Sequence, residues 1–295
     1  MQLSEAAPLV GARTRRDATF TSLGFASHDA PRMLVFLESE AHLDGVLANP
    51  AIAGVLASEA LAAAVPERLG LAVAANPRLA FYTLHNHLVE RTDFYGARRA
   101  TQVAASARVD ASAHVAEHDV RIGERVVVEP RAVIMPRVVL EDDVIVRAGT
   151  VVGSQGLQAS VVDGRMLKVA HGGGVIMRRG AEVHSNSCID RAVFGGFTEV
   201  GEDSIIANLV YVAHNVRIGK RCRVAANAAI GGSTTLGDEV YVGPGAAISS
   251  ELRVGDGAVV SLGAVVTRDV LPGQRVSGNF ALDHERFIAH MRQIR

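Results

Sequence analysis

The most regular feature of the sequence is an aliphatic residue at every sixth position from Val200 to Val266. Each of these residues is followed by Gly, Ala, Ser or Thr. A period of six fits neither an α-helix nor one long strand, because six residues hold only a short strand and a turn. The twelve aliphatic positions are Val200, Ile206, Val212, Ile218, Val224, Ile230, Leu236, Val242, Ile248, Val254, Val260 and Val266. The pattern predicts a parallel β-helix in which each aliphatic side chain points into a triangular coil.

Three hexads make one coil, so residues 18 positions apart are expected to stack, at a strand spacing of roughly 4.8 Å. The twelve hexads therefore predict four coils. Nine earlier hexads, interrupted by one inserted residue after the third, add three more. Their aliphatic positions are Val103, Val109, Val115, Ile122, Val128, Ile134, Leu140, Val146 and Val152. Between the two runs, Ile176, Val183 and Ile189 continue the pattern with imperfect spacing.

The period fails over residues 153–174, a Gly-rich stretch that predicts a loop extruded from the β-helix. Solenoids commonly place function in such loops, and a disordered insertion is the alternative. The period stops for good near residue 272, and Ala281–Arg295 is predicted to form one short helix. We therefore expect a β-helix domain over 101–272 and a C-terminal tail with a helix over 273–295.

The first hundred residues follow a different pattern, in which longer apolar runs alternate with helical periodicity. The expected elements are strands at Ala18–Phe25, Met33–Leu37 and Gly70–Ala75, and helices at Ala51–Ala64 and Leu79–Val89. Asn76-Pro77 opens the second helix. Residues 1–100 are thus predicted to form a small α/β domain, ending near Arg98-Arg99. The expected fold class is mainly β.

The composition argues against several classes of function. Thirty basic and thirty-one acidic residues leave a net charge of −1, which gives no support to a role on nucleic acid or on a membrane surface. No apolar stretch reaches the roughly 18 residues of a membrane span, and the N-terminus lacks the apolar region of a signal peptide. We therefore expect a cytoplasmic protein. Only Cys188 and Cys222 are present, so a disulfide framework is not expected and both are predicted to pack as small residues.

One histidine of the regular run lies in an informative place. His214 comes two residues after the inward-facing Val212, so its side chain is expected to leave the shaft and reach an outer groove. An ordinary exposed histidine is the alternative. One coil further on lies Gly232, which has no side chain and could present a backbone N–H beside the imidazole. A general base next to an oxyanion donor is the minimum that acyl transfer to an amine or hydroxyl requires.

Zinc catalysis is a competing use of the same architecture. Carbonic anhydrases of the γ class, which are trimeric β-helices, bind zinc through a histidine pair five residues apart and a third histidine from another coil. Here the position five after His214 is Gly219, and the position five after His184 is Ile189. We therefore expect no metal site.

Several segments resemble the UDP-3-O-acylglucosamine N-acyltransferases of lipid A synthesis, in family order and over nearly the whole chain. Those after residue 100 are Gly153-Ser154-Gln155-Gly156, Gly172-Gly173-Gly174-Val175, Ile189-Asp190-Arg191, the run from Asn208 to Gly219, Pro272-Gly273 and Ser277-Gly278. In the first domain, Phe36-Leu37 and the run from Asn76 to Phe81 are similar to the family's uridine-binding domain.

The resemblance implies a left-handed parallel β-helix, assembled as a homotrimer with active sites in grooves between subunits. It implies that His214 deprotonates the 2-amine of a nucleotide sugar, that the Gly232 backbone binds the thioester oxygen and that Phe36 stacks on uracil. In the family the acyl group is a 3-hydroxyacyl chain on acyl carrier protein. The implied donor is thus a phosphopantetheine thioester, and no tightly bound cofactor is expected.

The sequence departs from that family at three candidate positions. His42 stands where a second aromatic residue flanks the uracil, Glu251 replaces a second histidine, and Ala207 replaces an Asp before Asn208. The predicted substrate-binding residues are therefore Phe36, His42, Asn208, Asn215 and Glu251. Two other functions stay open: an acyl-CoA-dependent N-acyltransferase for another nucleotide-linked amino sugar of surface polysaccharide, and a non-catalytic protein that binds nucleotide sugars.

Overall fold

The computed structural model describes residues 1–162, 164–278 and 283–293. Its internal contacts divide the chain into two units. The first unit contains Met1–Ala100, Gln155–Gly174 and Arg191–Phe197, and the second contains Thr101–Ser154, Val175–Asp190 and Thr198–Arg295. Most of the predicted 153–174 loop therefore groups with the first unit.

The first unit is built on a five-stranded sheet with three parallel pairings and one antiparallel edge pairing. In spatial order the strands are Arg13–Arg16, Gly70–Val73, Ile52–Ala57, Met33–Leu37 and Ser22–Leu23. The α-helices are Leu3–Ala6, Leu43–Ala48 and Pro77–Arg91, and short 3₁₀ helices cover Ala7–Val10, Glu40–His42 and Glu59–Ala64. The predicted α/β character and the helix after Asn76-Pro77 are confirmed, with the Asn76 side chain accepting the Leu79 N–H at 3.0 Å.

The helix predicted over Ala51–Ala64 is wrong. Its first half is the central strand Ile52–Ala57, and only Glu59–Ala64 forms a 3₁₀ helix. Ile52–Ala57 is a central parallel strand whose two faces are both buried in the unit. Its sequence is therefore apolar throughout and lacks the alternation of apolar and polar residues that marks a strand with one exposed face. The strand predicted over Ala18–Phe25 is also too long, since only Ser22–Leu23 forms a strand and Thr19 makes an isolated bridge with Gln2.

Two segments that interrupt the hexads pack within the first unit. Residues 155–174 include an antiparallel hairpin of Ala159–Val162 with Arg165–Lys168. On the long helix, His85 is fully buried, with Nδ1 2.7 Å from the Tyr95 hydroxyl and Nε2 2.7 Å from the Ala170 carbonyl. Burial lowers the pKa of His85 from 6.5 to about 4, so the ring is neutral at pH 7. Phe194, from the second segment, lies within an aromatic cluster of the same unit.

The second unit is a parallel β-helix, as predicted, and its short strands stack into three sheets. The first sheet contains Gln102–Val103, Val120–Ile122, Val138–Leu140, Gly174–Met177, Phe197–Val200, Arg217–Ile218, Thr235–Leu236 and Arg253–Val254. The second contains Arg108–Val109, Val127–Val128, Ile145–Val146, Glu182–Val183, Ile205–Ile206, Arg223–Val224, Tyr241–Val242, Val259–Val260 and Arg275–Val276. The third contains His114–Val115, Val133–Ile134, Val151–Ser154, Cys188–Asp190, Tyr211–Val212, Ala229–Ile230, Ala247–Ile248 and Val265–Val266.

The side chains that point into the β-helix are those at the predicted sixth positions. All twelve aliphatic residues from Val200 to Val266 are buried, and strands pair 18 residues apart, as Val212 does with Ile230. The middle coil is more regular than predicted, because Met177 and not Ile176 pairs with Leu140 and lies in the core. With Met177 as its first inward residue, that coil keeps the six-residue spacing, followed by Val183 and Ile189.

Most corners of the coils hold one residue with positive φ, which tightens the turn between two walls. Beyond the last coil, the predicted helix over Ala281–Arg295 is present as His284–Gln293, and residues 281, 282, 294 and 295 lie outside the described part of the chain. In the described ranges, every helix is too short or too polar to cross a bilayer.

Candidate active site

His214 lies at the corner that follows the strand Tyr211–Val212. Because Val212 points into the core, the chain turns outward at Ala213 and leaves the His214 side chain half-buried. The next residue, Asn215, has a φ of 61°, and its Oδ1 is 3.2 Å from His214 Nδ1. An amide oxygen can only accept, so Nδ1 carries the proton in this contact and the lone pair of the neutral ring is on Nε2.

Gly232 lies directly against this ring, one coil further on. A Cβ built on Gly232 would be 2.7 Å from His214 Cε1 and 2.9 Å from Nε2. Such distances are shorter than any ordinary carbon contact, so a larger residue at this position would force the imidazole to move. The structure therefore brings together the two residues that the sequence predicted for catalysis, with the Gly232 backbone beside the ring.

Corner residues stack regularly in the two coils that follow His214. The Ser233 N–H donates to the His214 carbonyl at 2.9 Å, and the Glu251 N–H donates to the Gly232 carbonyl at 2.8 Å. Asn215, Ser233 and Glu251 all have φ near 60° and occupy equivalent corners of successive coils. Glu251 is exposed. The predicted substrate-binding residues Asn215 and Glu251 thus belong to the same edge of the β-helix as His214.

Asn208 lies elsewhere. It is exposed at the preceding corner of the same coil, separated from His214 by the strand Tyr211–Val212, and its carbonyl accepts from the Asn227 N–H at 3.1 Å. Within this unit the structure does not bring Asn208 to the His214 corner.

A buried polar cluster on the same sheet was not predicted as part of the site. Asp190 is only 2% exposed and accepts hydrogen bonds from the Tyr211 hydroxyl at 2.6 Å and from the Ser154 hydroxyl. Burial, with the Asp190 hydrogen bond and charge, raises the pKa of Tyr211 well above its usual value. A signal was present in the sequence: Asp190 belongs to Ile189-Asp190-Arg191, one of the segments that carry the family resemblance.

In the first unit, Phe36 is half-buried among aromatic rings. Its centroid is 5.0 Å from that of Phe81 and 5.9 Å from that of Tyr82, and the Arg78 guanidinium lies 5.9 Å from its centre. His42 is exposed and is not among the ring neighbours of Phe36 in the described chain; its Nδ1 is 3.0 Å from the Ser39 hydroxyl. The sequence did not single out Tyr82, which is buried and has a raised pKa for that reason.

Comparison with known proteins agrees with the hexapeptide repeat seen in the structure. Residues 119–154 and 197–232 match the family described as bacterial transferase hexapeptide (six repeats). These two stretches are similar to the hexapeptide repeat of bacterial transferases. The second matched stretch contains both His214 and Gly232.

Two curated relatives are both named as UDP-3-O-acylglucosamine N-acyltransferases. The UDP-3-O-acylglucosamine N-acyltransferase of Caulobacter vibrioides is 40% identical over 89 residues, 30% of this chain and 26% of that protein. UDP-3-O-acylglucosamine N-acyltransferase 1 of Gloeobacter violaceus is 47% identical over 143 residues, 48% of this chain and 41% of that protein. The predicted family resemblance is confirmed, and the matches span less than half the length of these relatives.

Among solved structures, the UDP-N-acetylglucosamine acyltransferase of Campylobacter jejuni has a TM-score of 0.50 at 21% identity. The match covers 65% of this chain and 83% of that one. At this identity the likeness concerns the fold alone. It confirms the predicted fold class, a left-handed parallel β-helix with a small N-terminal α/β domain.

Proposed function

We propose that the protein is an N-acyltransferase that moves a 3-hydroxyacyl group from acyl carrier protein to the amine of a UDP-linked glucosamine derivative. The observation that carries this proposal is the packing of the Gly232 backbone against the His214 imidazole. The shared name of the curated relatives supports the reaction type and the nucleotide-sugar acceptor.

In this proposal His214 Nε2 takes a proton from the sugar amine as the amine nitrogen attacks the thioester carbonyl. The new C–N bond forms, and the carbonyl oxygen becomes an oxyanion that the Gly232 N–H stabilises. The C–S bond then breaks, and the imidazolium returns its proton to the leaving phosphopantetheine thiol. Asn215, through its contact with Nδ1, holds the ring in the tautomer that this step needs.

The proposal extends to assembly and location. We infer a homotrimer in the cytoplasm, in which the grooves between subunits hold the acceptor and the acyl carrier protein supplies the donor. Analytical ultracentrifugation tests the trimer, and a monomer at working concentration would contradict it.

The direct test is an acyl-transfer assay with purified protein, a UDP-3-O-acylglucosamine and a 3-hydroxyacyl acyl carrier protein. We expect turnover that His214→Ala lowers to a small residual rate while the assembly stays intact. His184→Ala is a matched control, because His184 is also half-exposed on the β-helix and lies near Glu182, 3.2 Å away. Full activity in His214→Ala would refute the assignment of the base.

A second candidate is an acyl-CoA-dependent N-acyltransferase for a different nucleotide-linked amino sugar. It is favoured by the surroundings of Phe36, where the rings of Phe81 and Tyr82, and not His42, are the neighbours. The same assay with acyl-CoA donors and with UDP- and TDP-amino sugars separates the two. Calorimetric binding without turnover on any donor would instead identify a non-catalytic protein that binds nucleotide sugars.

A further inference from the structure

The corners of the β-helix follow a simple hydrogen-bonding rule. From Val200 to Val266, all of which the structure describes, the residue with positive φ at each corner but one donates its N–H to a backbone carbonyl of the preceding coil. The pairs are Asp203 to Arg179, Leu209 to Ser185, Arg221 to Glu202, Asn227 to Asn208, Ser233 to His214, Glu239 to Lys220, Gly245 to Ala226, Glu251 to Gly232, Gly257 to Asp238 and Gly263 to Pro244.

The corner at His214 is the exception. The Asn215 N–H donates to the side-chain hydroxyl of Thr198 at 2.8 Å. Thr198 is fully buried, so this hydroxyl is fixed within the β-helix and shielded from solvent. The contact lies one residue from the imidazole.

The cause is the segment Arg191–Phe197. Strands pair 23 residues apart before it, as Ile189 with Val212, and 18 apart after it, as Val200 with Ile218. Five extra residues therefore leave the coil beneath His214, and the Gly196 carbonyl accepts from Gly174 within the first unit. Thr198 is the first residue after this segment, where the chain returns to the β-helix. Its hydroxyl accepts the corner N–H, as a backbone carbonyl does at the other corners.

The peptide group between His214 and Asn215 is thereby held from both sides. Its N–H is bound by Thr198, and its carbonyl is bound by the Ser233 N–H at 2.9 Å. Since Asn215 also contacts His214 Nδ1, the orientation of this peptide sets the position of the ring. We propose that Thr198 is a positioning residue that fixes His214 for its reaction. What His214 does rests on the proposed function, whereas its placement does not.

Three substitutions test this role. Thr198→Val keeps the volume and removes the acceptor, which leaves the Asn215 N–H unsatisfied in a buried place. Thr198→Ser keeps the hydroxyl. Thr150→Val is the matched control, because Thr150 is also fully buried in the β-helix and loses one bond, from its hydroxyl to the His184 carbonyl at 2.7 Å.

We expect Thr198→Val to lower kcat by roughly 10- to 100-fold with KM changed less than about twofold, because a displaced catalytic group affects the reaction more than binding. Thr198→Ser should restore kcat to within about threefold, and Thr150→Val should leave kcat unchanged. In a His214→Ala background, Thr198→Val should have no further effect on the residual rate. A normal kcat in Thr198→Val, or an equal loss in both backgrounds, would overturn the proposal.

Nuclear magnetic resonance of the histidine rings gives a readout that does not depend on activity. The His214 signals are assigned by their absence in His214→Ala. Thr198→Val should shift or broaden them, whereas Thr150→Val and Thr198→Ser should not. If the wild-type protein transfers no acyl group, the proposed function fails but this experiment still decides the role of Thr198. Unchanged His214 signals in folded Thr198→Val would refute it.

Discussion

Gly232→Ala is the sharpest test of the site, because the added methyl group meets the imidazole directly. The new Cβ would lie 2.7 Å from His214 Cε1, 2.9 Å from Nε2 and 3.2 Å from Nδ1. The φ of Gly232 is outside the left-handed region, so alanine fits the backbone there without strain. The substitution therefore perturbs one thing, the position of the His214 ring.

The size of the effect follows from the distances. The closest contact must lengthen by about 0.7 Å to become an ordinary van der Waals contact of 3.4 Å. A misplacement of about 1 Å costs a reaction on the order of a hundredfold, so we expect kcat to fall by roughly 10- to 100-fold. The unfolding free energy should change little, because the atoms that must move are the far end of a half-buried side chain.

The assay is acyl transfer by folded protein, with melting temperature and His214 ring signals measured on the same sample. Gly45→Ala is the control, because its Cβ would lie 3.5 Å from that of Ala26, an ordinary contact. If Gly232→Ala keeps more than about a third of wild-type kcat, the ring either does not move or does not need its position, and the reasoning fails.

Three further predictions concern the core and the buried polar groups. Ile206→Ala should cost about 2–5 kcal/mol of unfolding free energy, whereas Ile205→Ala, on the outer face and 41% exposed, should cost far less, as urea denaturation will measure. Unfolding free energy should fall by about 3 kcal/mol from pH 6.5 to pH 4 through His85, because its folded pKa of about 4 lies below the unfolded value and the unfolded chain binds the proton first. Asp190→Asn should lower the pKa of Tyr211 towards 10, as absorbance at high pH will show.

Each of these predictions has its own check. His85→Gln keeps a donor and an acceptor but does not titrate, so it should flatten the pH dependence, and His87→Gln should not. An identical pH slope in His85→Gln would contradict the burial argument. The Tyr211 titration is identified by its loss in Tyr211→Phe. Equal costs for the two isoleucine variants would contradict the assignment of inner and outer faces.

The β-helix could be predicted in detail because each hexad repeats the same physical solution. One aliphatic residue fills the shaft and a small residue follows it, so the period alone identifies the inward columns. The same stacking rule placed Gly232 beside His214. The middle coil was predicted less well. The loop interrupts the six-residue period, so the sequence does not show that Met177, and not its neighbour Ile176, points inward.

The first unit has no repeat, and there local signals compete. The Ala-rich stretch after Ala51 has helical propensity, but burial between two parallel strands decides its conformation over Ile52–Ala57. Hydrogen bonds between side chains and groups far away in the sequence could not be predicted either. The bond of Thr198 to the Asn215 N–H depends on where the chain returns after the segment Arg191–Phe197, which the sequence does not state.

The coil of 18 residues also constrains how proteins of this kind can change in length. Removing or duplicating one whole coil after Val242 keeps every inward column in step, so such an event alters the height of the molecule without disturbing its core. An event between His214 and Gly232 is different, because the two residues belong to consecutive coils and would be separated. Length variation among relatives should therefore be found outside this pair of coils.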